Sequence, residues 1–336
     1  MFAWPRRARA KAPPPGAASA RSAPGEADRL LRRLEWTVIR RLDGLLQGDY
    51  RTLFRGMGLD LADLREYQPH DDVRHIDWNV TARMQAPYVR EFQEDREVAA
   101  WFLTDLSASV DFGSGPVKKR TLATEFCAVL ARVLTRHGNR VGAMIYRHGV
   151  EGVVPAGVGR RHVLRLLDAM RPPAGPRRVG TETELGALLA AGHAMLKRRS
   201  AVFVVSDFVG APGWEHALGL LARRHEVVAV RLFDPLEHAL PDLGLVVMED
   251  AETGEQIFVD ARDRAFRRRF ADAARAREVA LREAFATAGV DCLELSTAEP
   301  LDAALVRFLR LRKRRSQLAA GGVPRASDGA PRVAGD

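Results

Sequence analysis

The chain has 336 residues, 46% of them hydrophobic and 28% charged, which is enough apolar material for a substantial core and too much for an intrinsically disordered chain. Its formal net charge of +9 raises the question of nucleic acid, but residues 1–30 are net +4 and residues 307–336 net +6, which leaves 31–306 at −1. The basicity therefore belongs to two tails, 1–28 and 313–336, whose only nucleic-acid use would be salt-sensitive, sequence-independent phosphate contact.

The opening MFAWPRRARAKAPPP has basic residues with no apolar stretch behind them, and no run approaches the roughly 20 apolar residues of a membrane span. Cys127 and Cys292 each lie inside an apolar segment, which fits buried reduced thiols and a cytoplasmic setting better than a bridge or a zinc site. From Leu30 to Leu45 the apolar positions Leu30, Leu31, Leu34, Val38, Ile39, Leu42 and Leu45 recur at helical spacing, predicting a helix over 29–49. Residues 50–97 are irregular and dense in charged and aromatic side chains, so 29–97 reads as a helix plus an irregular module of extended pieces and turns.

Beyond Val98 the texture alternates between strand-like and helix-like segments, the order of βαβ units about a mostly parallel sheet. Strands are predicted at Ala99–Thr104, Val141–Tyr146, Val150–Pro155, Ala201–Ser206, Glu226–Phe233 and Asp291–Leu295. Helices are predicted at Lys118–His137, Arg160–Met170, Glu182–Arg198, Trp214–Arg224, Arg262–Ala288 and Pro300–Arg312. Leu245–Glu249 and Gln256–Val259 read as a hairpin across Asp250–Glu255. The fold class expected for 98–312 is α/β, a doubly wound, mostly parallel sheet, in which ligands bind beyond the carboxyl ends of the strands.

At one such end stands Asp105-Leu-Ser107-Ala-Ser109, one carboxylate and two hydroxyls on a short turn. All are hard oxygen donors, and two are neutral, which suits a magnesium-type cation that keeps positions for water or a partner. A second end is Ser206-Asp207, and Gly180-Thr181-Glu182-Thr183 opens a helix, where loop hydroxyls and backbone amides project. Asp and Ser also cap helices, so the motif gains its meaning from its place after a buried strand. Asp71, Asp72, Arg74, Asp77 and Arg83 read as an ion-pair network anchored by Trp78 rather than as a catalytic site, and His70 and His75 match no zinc spacing. Gly56-x-Gly58 lies outside any strand-to-helix turn and is no nucleotide loop.

Asp105, Ser107, Ser109, Thr181 and Asp207 together resemble the metal-ion-dependent adhesion site of von Willebrand factor A domains. That resemblance implies that the serines and the threonine hold a cation, Mg2+ or Mn2+, while the aspartates balance its charge. The string from Gly56 to Trp78, including Asp63-Leu64-Arg65-Glu66-Tyr67-Gln68-Pro69, followed by Thr81-Ala82-Arg83 and Val89-Arg90-Glu91-Phe92, resembles the signature of the bacterial domain-of-unknown-function 58 family over roughly 30–312. This chain has Gly58-Leu-Asp60-Leu61 where that family has Gly-x-Glu-Phe, His70 for a Gly, and Val110 for a Met. The resemblance implies a von Willebrand factor A-type (Rossmann-like) domain, a non-catalytic role in gripping an acidic residue of a client protein, and a MoxR-type AAA+ ATPase as working partner in complex assembly. The competing expectation is a phosphoryl-transfer hydrolase with Asp105 as nucleophile, although Ser107 stands where such enzymes carry a second Asp and no partner Lys is evident.

Overall fold

A computed structural model describes residues 25–39, 63–68, 81, 86–91, 99–172, 183–251 and 253–319. The greater part of the two tails, the signature residues between Pro69 and Val80, and Thr181 lie outside the described residues.

Strands β1 (Asp63–Glu66) and β2 (Tyr88–Glu91) form an antiparallel pair, the extended pieces expected of the N-terminal module. The main sheet comprises β3 (Ala100–Asp105), β4 (Val141–Tyr146), β5 (Val150–Gly157), β6 (Ala201–Ser206), β7 (Glu226–Phe233) and, after the antiparallel hairpin β8 (Leu245–Glu249) and β9 (Gln256–Asp260), β10 (Asp291–Ser296). Its order is β10-β7-β6-β3-β4-β5, parallel throughout except for β5, which runs antiparallel to β4. Every residue of β4 and of β6 is buried, the pattern of strands covered on both faces.

The covering helices are α1 (Gly25–Leu34), α2 (Lys119–Arg136), α3 (Arg160–Ala169), α4 (Leu185–Met195), α5 (Trp214–Arg224), α6 (Arg264–Ala288) and α7 (Leu301–Ala319). The two-residue alternation of the strands divides them into layers. Phe102, Phe203 and Val205 face Leu31, Leu122, Phe126, Val163, Leu166 and Leu301 of α1, α2, α3 and α7. Leu103, Val202 and Val204 face Leu185, Leu188, Leu218, Leu221, Leu281 and Phe285 of α4, α5 and α6. On the first face Phe102, Phe126 and Phe203 stack at centroid distances of 5.5 to 6.2 Å. On the second, α4 comes so close to β3 that a Cβ on Gly192 would stand 2.6 Å from Leu103 Cδ1.

Chain order from β3 runs outward to β4 and β5, then crosses to β6 and continues to β7 and β10. The reversal falls between β3 and β6, so their carboxyl ends border the crevice of a doubly wound sheet.

Several bounds differ from the sequence expectation. The helix expected over 29–49 starts earlier, at Gly25, and passes into a π turn at Glu35–Ile39, tied to α2 by Glu35 and Arg132 at 2.7 Å. β5 continues past Pro155 to Gly157: it is an edge strand paired with β4 alone, and its register with β4 shifts between Val154 and Gly157, an irregularity of the kind that admits a proline. α4 is shorter than 182–198: Glu184 is its N-cap, and Leu196 turns extended to bury its side chain. α7 runs on from Arg312 to Ala319, with Arg312 bonded to Glu226 at 3.1 Å and Arg315 paired with Asp291, so part of the basic stretch grouped above with the tail is helix docked on the body.

Both cysteines are free, and burial pushes each thiol up to about 12, which keeps them protonated and unreactive. Among the described residues no helix is long and apolar enough to cross a membrane.

Replacing Phe203 by Ala removes the ring shared by Phe102 and Phe126 and is expected to cost about 3–5 kcal/mol, read as a lowered urea midpoint. His225, at the α5–β7 junction, is 3% exposed with neither ring nitrogen hydrogen-bonded, and burial, then Arg224 and His193, pull its pKa down to about 4. The unfolded chain takes up that proton near pH 6.5 and the folded chain only near 4, so stability falls as pH drops through this window. A His225→Leu chain is expected to lose less stability than wild type between pH 7 and pH 5 in parallel denaturation series.

Candidate metal and adhesion site

Asp105 ends β3 and is fully buried. Its Oδ1 accepts the Ser107 amide at 2.9 Å, and its Oδ2 accepts the Ser206 hydroxyl at 2.7 Å. The chain then turns through a short 3-10 segment, Ala108–Asp111, which leaves the Ser107 and Ser109 hydroxyl oxygens 3.2 Å apart and buried. Arg120, in the first turn of α2, holds this loop: its guanidinium donates to the Leu106 carbonyl at 2.8 Å and pairs with Asp111.

Asp207, one residue past β6, is 2% exposed. Its Oδ1 accepts the Val209 amide at 3.2 Å, and its Oδ2 accepts the Lys119 ammonium at 2.7 Å. The loop bends sharply here. Phe208 adopts φ 56°, a left-handed conformation unfavourable for a bulky residue, and its ring is clamped by Trp214 and Phe285 at 5.1 and 4.9 Å. Two residues on, Gly210 has φ +143°, and a Cβ there would lie 2.3 Å from the Thr183 carbonyl. Thr183 is buried against this loop, its carbonyl accepting the Ala211 amide at 2.9 Å.

The structure thus brings four of the five sequence-derived residues, Asp105, Ser107, Ser109 and Asp207, to the ends of neighbouring central strands. Thr181, the fifth, lies outside the described residues.

The electrostatics leave a deficit of positive charge. Burial, and then the neighbouring Asp207 carboxylate, push the Asp105 carboxyl up to about 6. Burial alone would lower the Lys119 ammonium pKa, but Asp207 and Glu237 outweigh it, so the amine is held charged above its ordinary value. Glu237 takes the same ammonium on Oε1 at 2.6 Å. The Lys119 ammonium is thus shared by two carboxylates, Asp207 and Glu237, and Asp105 has hydrogen-bond donors but no cationic partner of its own.

This donor set fits a magnesium-type ion. The Ser107 and Ser109 hydroxyls are hydrogen-bonded to each other at 3.2 Å, a spacing that need change little to match two oxygens on adjacent octahedral positions, roughly 3.0 Å apart. Among the described residues no three His, Cys, Asp or Glu side chains gather as a metal site. Such a cation would offset the charge that raises Asp105 and would offer water or a partner carboxylate its open positions.

Sequence reasoning missed Lys119 and Glu237, and it did not give Ser206 its role in fixing Asp105. One signal existed. Lys119 is the first residue of α2, where the helix dipole disfavours a cation, and no acid in that turn compensates it.

An uncompensated buried carboxylate makes a clear expectation. Asp105 has a higher pKa folded than unfolded, so its charge destabilises the fold above about pH 6, and the penalty fades as pH falls toward 3.8. In chelator, Asp105→Asn is expected to raise stability at pH 8 by on the order of 1–3 kcal/mol and to change little near pH 4, as read by thermal or urea unfolding.

Among known proteins, the chain is 39% identical over 289 residues to the uncharacterized protein Rv1480 of Mycobacterium tuberculosis and equally to the uncharacterized protein Mb1516 of Mycobacterium bovis, covering 84% of this chain and 89% of each relative. Among solved structures it is similar to the conserved hypothetical protein BatB from Bacteroides thetaiotaomicron, at 12% identity and a TM-score of 0.40, covering 65% of this chain and 99% of that one. It is also similar to an aerotolerance-related membrane protein from Bacteroides fragilis, at 14% identity and a TM-score of 0.40, with the same coverage. Residues 63–280, well over half the chain, match the family model for the protein of unknown function DUF58, and with close mycobacterial relatives along most of its length the chain belongs to that family.

Proposed function

We propose that this chain is a non-catalytic binding and assembly factor whose main domain is of von Willebrand factor A type. A magnesium-type cation, Mg2+ or Mn2+, would sit against Ser107 and Ser109, with a threonine of the 181–183 stretch as a further donor and Asp105 and Asp207 balancing its charge. An acidic side chain of a client protein would take the open position. The observation that supports this most is the meeting of two buried aspartates and two buried hydroxyls at the crevice between β3 and β6, with the Asp105 carboxyl raised by uncompensated charge. A MoxR-type AAA+ ATPase as working partner, and a cytoplasmic setting, rest on the family resemblance of the signature segment and on the two free, unreactive thiols.

One observation favours a second reading, a phosphoryl-transfer hydrolase with Asp105 as nucleophile: Lys119 supplies the buried cation that the sequence left unassigned. It bonds Asp207 and Glu237 rather than Asp105, and both Asp105 oxygens already accept hydrogen bonds, so the binding reading is preferred.

Calorimetric titration of Mn2+ into the full chain is expected to show one site, weakened at least about tenfold in Ser107→Ala and Asp105→Ala. Equal uptake by all three chains would remove these residues from any metal role. Association with the MoxR-type ATPase of the same organism is expected to be lost in chelator and restored by Mg2+. Turnover of p-nitrophenyl phosphate that vanishes in Asp105→Asn would favour the hydrolase instead.

A further inference from the structure

Lys119 has no part in the binding scheme above, yet at 1% exposure it is the most deeply buried Lys or Arg among the described residues. Its backbone is fixed by the amide bond to the Phe112 carbonyl at 2.9 Å, and its ammonium lies 5.8 Å from the Phe112 ring centroid. The ammonium has two carboxylate partners of different character. Asp207, 2.7 Å away, is buried and belongs to the proposed cation set. Glu237, 2.6 Å away, is partly open to solvent, stands in a turn after β7 and is not part of that set.

Glu237 is itself held firmly. Its Oε2 accepts the Asp234 amide at 3.0 Å, closing a capping box, and Asp234 accepts the Ser114 amide at 2.9 Å and the Thr297 hydroxyl at 2.6 Å. Thus the loop that follows β3, the turn that follows β7 and the end of β10 all serve to place one carboxylate against Lys119.

Resting on the cation reading above, we propose that the Lys119 ammonium is the resident counter-ion of Asp207 and competes with the divalent cation for it, Glu237 being the carboxylate that takes the ammonium over when the cation binds. Both Asp207 oxygens are engaged by N–H donors, Val209 on one and Lys119 on the other. A divalent ion beside Asp207 would meet a like charge within a few ångströms in a site of low dielectric, so Asp207 balances the ion's charge in full only as the amine shifts toward Glu237. The same ammonium neutralises Asp207 in the cation-free protein and lets the site persist without an ion.

The test is Mn2+ affinity of the full chain at fixed pH and ionic strength, measured calorimetrically for wild type, Lys119→Met and Glu237→Gln, with the rise in melting temperature on adding Mn2+ as a second readout. Lys119→Met is expected to bind about tenfold tighter or better and to gain more thermal stability from the ion. Glu237→Gln is expected to bind several-fold more weakly, since the ammonium then has only Asp207. A merely structural role for the lysine would not move affinity in opposite directions. Equal affinity in wild type and Lys119→Met would overturn this inference and leave the cation reading standing, whereas no uptake by any of the three chains would overturn both. Should Lys119→Met fail to fold by circular dichroism, unchanged affinity in Glu237→Gln is sufficient to overturn it.

Discussion

Two carboxylates buried side by side at the ends of adjacent parallel strands are the constraint around which this molecule is arranged. Both side chains are buried, and burial together with the Asp207 carboxylate raises the cost of ionising Asp105. Ser206 and the Ser107 amide serve one, and Lys119 and the Val209 amide serve the other. The burden is divided unequally: Asp207 receives a full positive charge, while Asp105 receives only dipoles and stays raised. That asymmetry singles out Asp105 as the side on which positive charge is wanting.

The doubly wound sheet makes such a pair sustainable. Apolar residues on both faces of β3 and β6 hold the strands rigidly, with Phe102 and Phe203 on one side and Leu103, Val202 and Val204 on the other. Polar groups are thereby confined to the carboxyl ends, where the loops begin. α2 contributes twice from its first turn, Lys119 toward Asp207 and Arg120 toward the loop after Asp105. Adjacent residues of one helix therefore tie down the two strand ends separately, and the geometry of the crevice follows from where α2 begins.

The sheet was legible in the sequence because fully covered strands are continuous apolar runs: β4, β6 and β7 have the bounds read from the string, as does α5. Local signals failed where tertiary contacts decide. A proline reads as a strand end, yet β5 runs past Pro155 because it is an edge strand whose register with β4 shifts at that point. α7 outlasts its apolar stripe because Arg312 and Arg315 find Glu226 and Asp291 on the body. In the candidate site the oxygen donors stood out through their places after strands, but Lys119 and Glu237 are 118 positions apart and no spacing links them.

Phe208 joins the crevice to the far layer of the molecule. Its unfavourable backbone twist lies immediately after Asp207 and is maintained by rings from two different helices, Trp214 at the start of α5 and Phe285 near the end of α6. The helices of that layer are thus packed, through three aromatic rings, directly against the turn that follows a buried aspartate, so the position of Asp207 depends on a side chain as far along the chain as Phe285.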